Sequence, residues 1–177
     1  MFGFFKRAPK EPPVIPVTEM YPAPPAGRTA PGTKIRHDPE LIGQLKRDHR
    51  DLLNLYMEIK HIFETGAYHR IGDRLHRFRE AVQEHFMKEK IRLYIYLEHS
   101  LPRDGEEFAR VHAFRGELEG IGKAVLQFLR KYENIAQERE LIDSFEQEFG
   151  AIGDVLTKRI TAEESQLYPL YPAESPE

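Results

Sequence analysis

Apolar residues recur along most of this chain in alternating threes and fours, the spacing that keeps side chains on one face of an α-helix. Four such stretches can be separated. The first, Ile42, Leu45, His49, Leu52, Tyr56, Ile59 and Phe63, predicts a helix with Asp38 as N-cap and Pro39 in its first turn, running to about Glu64 before Thr65-Gly66. The second, Ile71, Leu75, Phe78, Val82, His85, Glu89, Leu93 and Tyr96, predicts a helix from about Tyr68 to Glu98, with the next turn at Ser100-Leu101-Pro102 and Asp104-Gly105. The third, from about Glu106 to Glu133, carries Phe108, Val111, Arg115, Leu118, Gly122, Val125, Leu129 and Tyr132, flanked by Phe114, Ile121 and Phe128. The fourth, from about Ala136 to Tyr168 and stopped by Pro169, carries Ile142, Phe145, Phe149, Ile152, Leu156, Arg159, Glu163 and Leu167. Four amphipathic helices with short connections predict an all-α fold, an antiparallel up-down-up-down four-helix bundle.

Polar residues interrupt these stripes at positions that should be core. His49 stands in the first; His85 and Glu89, one turn apart, stand in the second; Arg159 and Glu163 stand in the fourth. Buried polar groups need partners, and a bundle core is where facing helices build metal sites. A core histidine such as His49 is either hydrogen-bonded or a ligand. His37, His61, His69, His76 and His99 fall off the stripes or near helix ends and read as solvated surface histidines.

Composition narrows the chemistry. The chain has 177 residues, enough for one domain with a real core, and no cysteine, which removes disulfides, thiolate metal sites and thiol catalysis. The net charge of -3 is unevenly placed. Residues 1–36 carry Lys6, Arg7, Lys10, Arg28, Lys34 and Arg36 against Glu11 and Glu19, so the remainder is distinctly acidic and nucleic acid is not expected as a partner. Eight prolines in the same segment predict a disordered basic tail over 1–36, a bundle over 37–172 and a short C-terminal tail over 173–177. Phe2, Phe4 and Phe5 beside Lys6 and Arg7 make the tail a candidate docking tip for a protein partner. No signal-like or membrane-spanning stretch is evident, and the expectation is a soluble, cytoplasmic protein. No seam residue looks like a dedicated nucleophile and no phosphate-cradling glycine loop is present, so the chain is not expected to be an enzyme.

The chain resembles a known family, the hemerythrin-like or HHE cation-binding domains, over roughly residues 37–169. The pieces that carry the resemblance are Asp48-His49, His85-Phe86-x-x-Glu89 followed by Leu93-Tyr94, and Glu163-Glu164-x-x-Leu167-Tyr168-Pro169. The resemblance implies a four-helix bundle holding non-heme iron, in a di-iron or a degenerate site, that binds or senses oxygen, redox state or iron. By position it implies His49, His85, Glu89 and Glu164 as ligands, with Glu163 and His112 as further candidates. The chain departs from the family pattern in two places. Arg159 stands where the fourth-helix histidine is expected, and a guanidinium has no lone pair to give a metal. His112, the one histidine of helix three, lies roughly 140° from the centre of the apolar arc of Leu118, Ile121 and Val125, at 100° per residue.

Two function classes therefore stand open. In one, the imidazoles and carboxylates bind iron, and through it O2. In the other no metal is bound, Arg115 and Arg159 replace its charge in the layer of Glu89 and Glu164, and the bundle is an interaction module.

Overall fold

The computed structural model describes residues 28–171. Among these residues the chain forms four helical rods, and the only strand-like pairing is an isolated bridge between Thr29 and Arg36. The first rod is α1 (Leu41–Glu64). The second runs through α2 (Ile71–Lys88), a π-helical segment Glu89–Tyr94 and α3 (Ile95–Ser100). The third is α4 (Glu106–Lys131). The fourth runs through α5 (Arg139–Ala162), a second π-helical segment Glu163–Leu167 and a 3-10 turn Tyr168–Leu170. Successive rods pack on one another and the fourth closes against the first, giving the predicted four-helix bundle.

Local chemistry sets the ends. The first rod starts later than expected: its N-cap is Glu40, with no side-chain cap, and Asp38 and Pro39 form the turn before it, where Asp38 Oδ1 accepts from the Glu40 N–H at 2.9 Å and the Asp38 carbonyl from the Leu41 N–H at 3.1 Å. Gly66, at φ 71°, reverses the chain after α1 in the left-handed region that a glycine enters without strain.

The apolar stripes meet as two separate clusters. One holds Leu52, Ile59, Phe78, Val82, Val125, Phe145 and Leu156; its Phe128, Tyr132, Phe145 and Phe149 rings pack with centroids 4.7–5.7 Å apart. The other holds Leu41, Leu45, Leu93, Leu97, Val111, Phe114, Leu118 and Leu167. At roughly 1.5–3 kcal/mol for each large buried side chain, these clusters supply the driving force for folding. Between them lies one layer of polar side chains, flanked by Leu45 and Leu52 on the first rod, Val82 and Leu93 on the second, and Leu156 and Leu167 on the fourth. On the third rod this level is occupied by Gly122, against which Phe86 packs at 3.4 Å from where a Cβ would stand.

The structure corrects three further expectations. Residues 28–36 do not belong to a free tail: Ala30 is buried in the second cluster, and His99 Nδ1 lies 3.0 Å from the Pro31 carbonyl. His37 is buried, not solvated, because its ring stacks on Tyr171 at 4.6 Å and meets the edge of Tyr96. Arg115 does not occupy a core slot. The α4 helix is rotated so that Phe114 and Phe128 face inward, since a phenyl ring gains more from burial than a guanidinium, and Arg115 pairs with Glu98 at the surface. The Phe2, Phe4 and Phe5 tip lies outside the described residues, as does the segment 173–177.

Candidate metal centre

His49, His85, Glu89 and Glu163, all buried, each turn a donor atom into the polar layer, and these atoms lie within 4.8 Å of one another. The sequence spacing explains the convergence: His85 and Glu89 are one turn apart on the second rod, Glu163 continues the Leu156–Arg159 stripe on the fourth, and His49 faces them from the first. Both π-helical segments begin at the two core carboxylates, Glu89 and Glu163. A π turn adds a residue to the helical circuit and recurs at functional sites. Here it lets Leu93 and Tyr94, and again Leu167 and Tyr168, be buried as adjacent pairs.

The outer nitrogens of both imidazoles face carboxylates. His49 Nδ1 is 2.8 Å from Glu164 Oε1. His85 Nδ1 is 3.5 Å from Asp48 Oδ2, an ion-pair distance longer than a good hydrogen bond, and Asp48 is itself held by Lys88 at 2.9 and 3.1 Å. A carboxylate hydrogen-bonded at Nδ1, as at His49, favours the Nδ1–H tautomer, in which the Nε2 lone pair points inward; the His85 Nδ1 contact is too long to be a hydrogen bond. The two Nε2 atoms are 3.2 Å apart. Glu163 Oε2 lies 3.2 Å from His49 Nε2, and Glu89 Oε2 lies 3.8 Å from His85 Nε2.

Few protons are available to satisfy so many acceptors. Tyr168 Oη donates to Glu89 Oε1 at 3.1 Å and is equally close to His49 Nε2, but it has one proton for the two. Arg159 Nε donates to Glu163 Oε1, while its Nη2 donates to Tyr94 Oη at 2.6 Å and its Nη1 to Glu117 at 3.3 Å. The guanidinium lies over the Phe114 ring, 4.8 Å from its centroid. Glu89 Oε2, wholly buried, has no hydrogen-bond partner at all.

Electrostatics follow from this arrangement. Burial, with the nearby charge of Glu163, pushes the Glu89 carboxyl well above the usual carboxylate range, even against Arg159. Burial would do the same to Glu163, but His49 and Arg159 outweigh it and hold that carboxyl low. Burial, with repulsion from His49, depresses His85 despite the attraction of Asp48, which favours the neutral imidazole a metal requires. Burial and the Glu89 charge raise the Tyr94 phenol, and burial with the same carboxylate raises that of Tyr168.

Of the residues expected at the site, the fold therefore brings together His49, His85, Glu89 and Glu163. Glu164 is half-buried and sits behind His49, on its Nδ1 side. His112 is not brought in: its side chain is 75% exposed, 3.8 Å from Glu98 and stacked beside Phe108. Tyr94, Tyr168 and Lys88 entered no sequence argument as polar groups of the site. The adjacency of Tyr94 to Leu93 and of Tyr168 to Leu167 was visible, but not the π turns that bury both.

A narrow cleft of about 10 Å³ adjoins the layer, lined by Leu52, Leu53, Tyr56, Phe86 and Leu156 as well as by His49, His85 and Glu163. That is room for one water-sized molecule.

A four-helix bundle in which imidazoles and carboxylates from facing helices meet at one buried point is the architecture of helical cation-binding centres. The comparison with protein families agrees: the Hemerythrin HHE cation binding domain matches over residues 40–171, and the chain belongs to that family. Comparison with curated proteins found no match, and neither did comparison with solved structures. Among the described residues no helix is long and apolar enough to cross a membrane.

Proposed function

We propose that this protein binds one non-heme iron ion through His49 and His85 Nε2 and the carboxylates of Glu89 and Glu163, and that the site serves to bind or sense a small gas such as O2. The observation that carries this reading is the pair of Nε2 atoms 3.2 Å apart, each with its other nitrogen facing a carboxylate. At that distance two Nε2 lone pairs repel unless a proton or a metal ion lies between them. The charge count points the same way. Two core carboxylates face one guanidinium, so one negative charge is left for a cation to balance. An imidazole and carboxylate donor set suits Fe(II), the metal that the resemblance implies, and the matching family is a cation-binding one.

The chain's own groups divide the remaining work. Glu164 and Asp48 orient the imidazoles, and Lys88 tempers Asp48. Arg159 fixes Glu163 and supplies a permanent positive charge on the far side of it, where a second metal ion would otherwise be needed. This is why a single ion is proposed. Tyr168 keeps a proton between Glu89 and His49, available to a polar ligand atom. The apolar walls Leu52, Leu156 and Phe86 keep bulk water out. Bound iron would add a one-electron couple and affinity for O2.

The competing reading, a metal-free interaction module, draws support from the Arg159–Glu163 pair. It required Arg115 as a second internal cation, and Arg115 is bound to Glu98 instead. Metal analysis of protein purified without chelators separates the two. About one iron per chain, lost in both His85→Ala and Glu89→Ala, is expected. No metal in the parent, or content unchanged in both variants, refutes the proposal, and two irons per chain refutes the role given to Arg159.

A further inference from the structure

Gly153 lies in the middle of α5, buried, where glycine costs about 1 kcal/mol relative to alanine and needs a reason. The reason is Tyr56. A Cβ on residue 153 would stand 2.7 Å from Tyr56 Cε2 and closer still to Cζ and Oη, so the phenol ring occupies the notch that the missing side chain leaves. The other glycines of α4 and α5 have no such neighbour: Gly116, Gly120 and Gly150 face open space, and Gly122 meets a ring at 3.4 Å. Tyr56 is also stacked on Phe149, with centroids 4.4 Å apart and planes inclined by 26°. Its position is thus fixed on two sides.

That position lies at the mouth of the cleft beside the polar layer. Tyr56 and Gly153 both line the cleft; Tyr56, Leu53 and Phe86 at its rim are half-buried, while His49 and Glu163 at its floor are wholly buried. We infer that Tyr56, seated against Gly153, is the gate that restricts ligands of the metal centre to small molecules of diatomic size. The inference rests on the metal-site reading above and names the ligand class that site admits. Size follows from the cleft, which holds about one water-sized molecule while the ring is in place. Charge is not what the cleft selects on, because its polar side carries both signs, the Arg159 guanidinium beside the Glu163 carboxylate. The phenol itself stays uncharged, since burial and the neighbouring Asp154 both disfavour its ionised form.

The test compares the parent with Tyr56→Ala, Tyr56→Phe and Gly153→Ala in the iron-loaded protein. Nitric oxide association with the ferrous form is followed by stopped flow, and azide binding to the ferric form by titration. Tyr56→Ala is expected to speed nitric oxide association tenfold or more and to bind azide at least tenfold more tightly, with unchanged iron content. Gly153→Ala should move both readouts the same way by displacing the ring, and Tyr56→Phe should match the parent. Parent-like nitric oxide and azide behaviour in Tyr56→Ala at equal iron content overturns the gate. A parent without iron overturns the metal reading instead, and the gate is then read in the metal-free protein from the imidazole 1H–15N signals of His49 and His85 under xenon pressure. These should shift in Tyr56→Ala and stay fixed in the parent; equal response in the two overturns the gate on its own.

Discussion

Replacing Glu89 by glutamine should make the metal-free protein more stable and the iron-loaded protein impossible to form. Glu89 is 0% exposed, its Oε2 has no partner, and its nearest charges are the like charge of Glu163 and the single cation Arg159, already bound to Glu163. His85, His49, Tyr94 and Tyr168 complete its surroundings. Glutamine keeps the shape. Its carbonyl can accept from Tyr168 as Oε1 does, and its amide can donate toward His85 Nε2, the atom 3.8 Å from Oε2. Exchanging a poorly compensated buried ion for a neutral group stabilises by about 1–4 kcal/mol. For a chain of this size that corresponds to a rise of roughly 3–10 °C in Tm. The sign with pH follows from the raised carboxyl. Below the ordinary value of 4.5 Glu89 is protonated in both folded and unfolded chains, and parent and variant should differ little. As pH rises the unfolded chain ionises first, so the parent loses stability relative to the variant up through the folded value. Urea unfolding in chelator at pH 4.5, 6 and 7.5 reads this directly. Ferrous iron under anaerobic conditions then reverses the order: at a hundredfold excess over its Kd it should stabilise the parent by about 2.7 kcal/mol and leave the variant almost unmoved. A variant less stable than the parent at pH 7.5, or a difference independent of pH, would show that Glu89 is ionised and satisfied without metal.

Arg159→His removes a buried partner of Glu163 and Tyr94, so the metal-free protein should lose about 3–5 kcal/mol in urea unfolding while iron content rises from one toward two per chain; unchanged stability and content would make Arg159 a bystander. Tyr171→Phe deletes the acceptor of the buried Asp38 N–H at 2.8 Å and should cost about 1–3 kcal/mol without altering iron content, a result that an unchanged Tm would contradict.

How much of this could be read from the chain alone depends on which forces set each position. Every residue of the second stripe, from Ile71 to Tyr96, is buried, His85 and Glu89 included, because a helix with one apolar face has only one way to lie in a bundle. The third helix offered two overlapping stripes, and position alone could not choose between Arg115 and Phe114. Packing chose the ring, which then became the surface on which the Arg159 guanidinium rests. His37 was misjudged for a different reason: its partner Tyr171 lies at the other end of the described chain, and a contact of that range leaves no local pattern. The π turns at Glu89 and Glu163 were equally invisible, since a regular 3.6-residue count cannot announce an extra residue.

The fourth helix shows where periodicity and resemblance parted. The resemblance pointed to Glu164 as the ligand, whereas the Leu156, Arg159, Glu163, Leu167 stripe put Glu163 in the seam. The fold buries Glu163 and leaves Glu164 half-exposed behind His49. The two carboxylates are neighbours in sequence and about 100° apart around the helix, so one can face the layer only if the other turns toward the imidazole's back. Arg159 biases that choice. Four residues before Glu163 on the same face, it forms an ion pair with Glu163 that it could not form with Glu164, and the pairing holds Glu163 ionised in a site that burial would otherwise discharge. The arginine that stands where the resemblance implies a histidine therefore also fixes which carboxylate faces the core. At the same level of the third rod stands Gly122, which brings no side-chain donor to the layer. A fixed internal cation on one side and four converging donors on the other leave a layer whose charge balances with one proton on Glu89 or with one bound metal ion, and competition between those two is what the Glu89→Gln comparison measures.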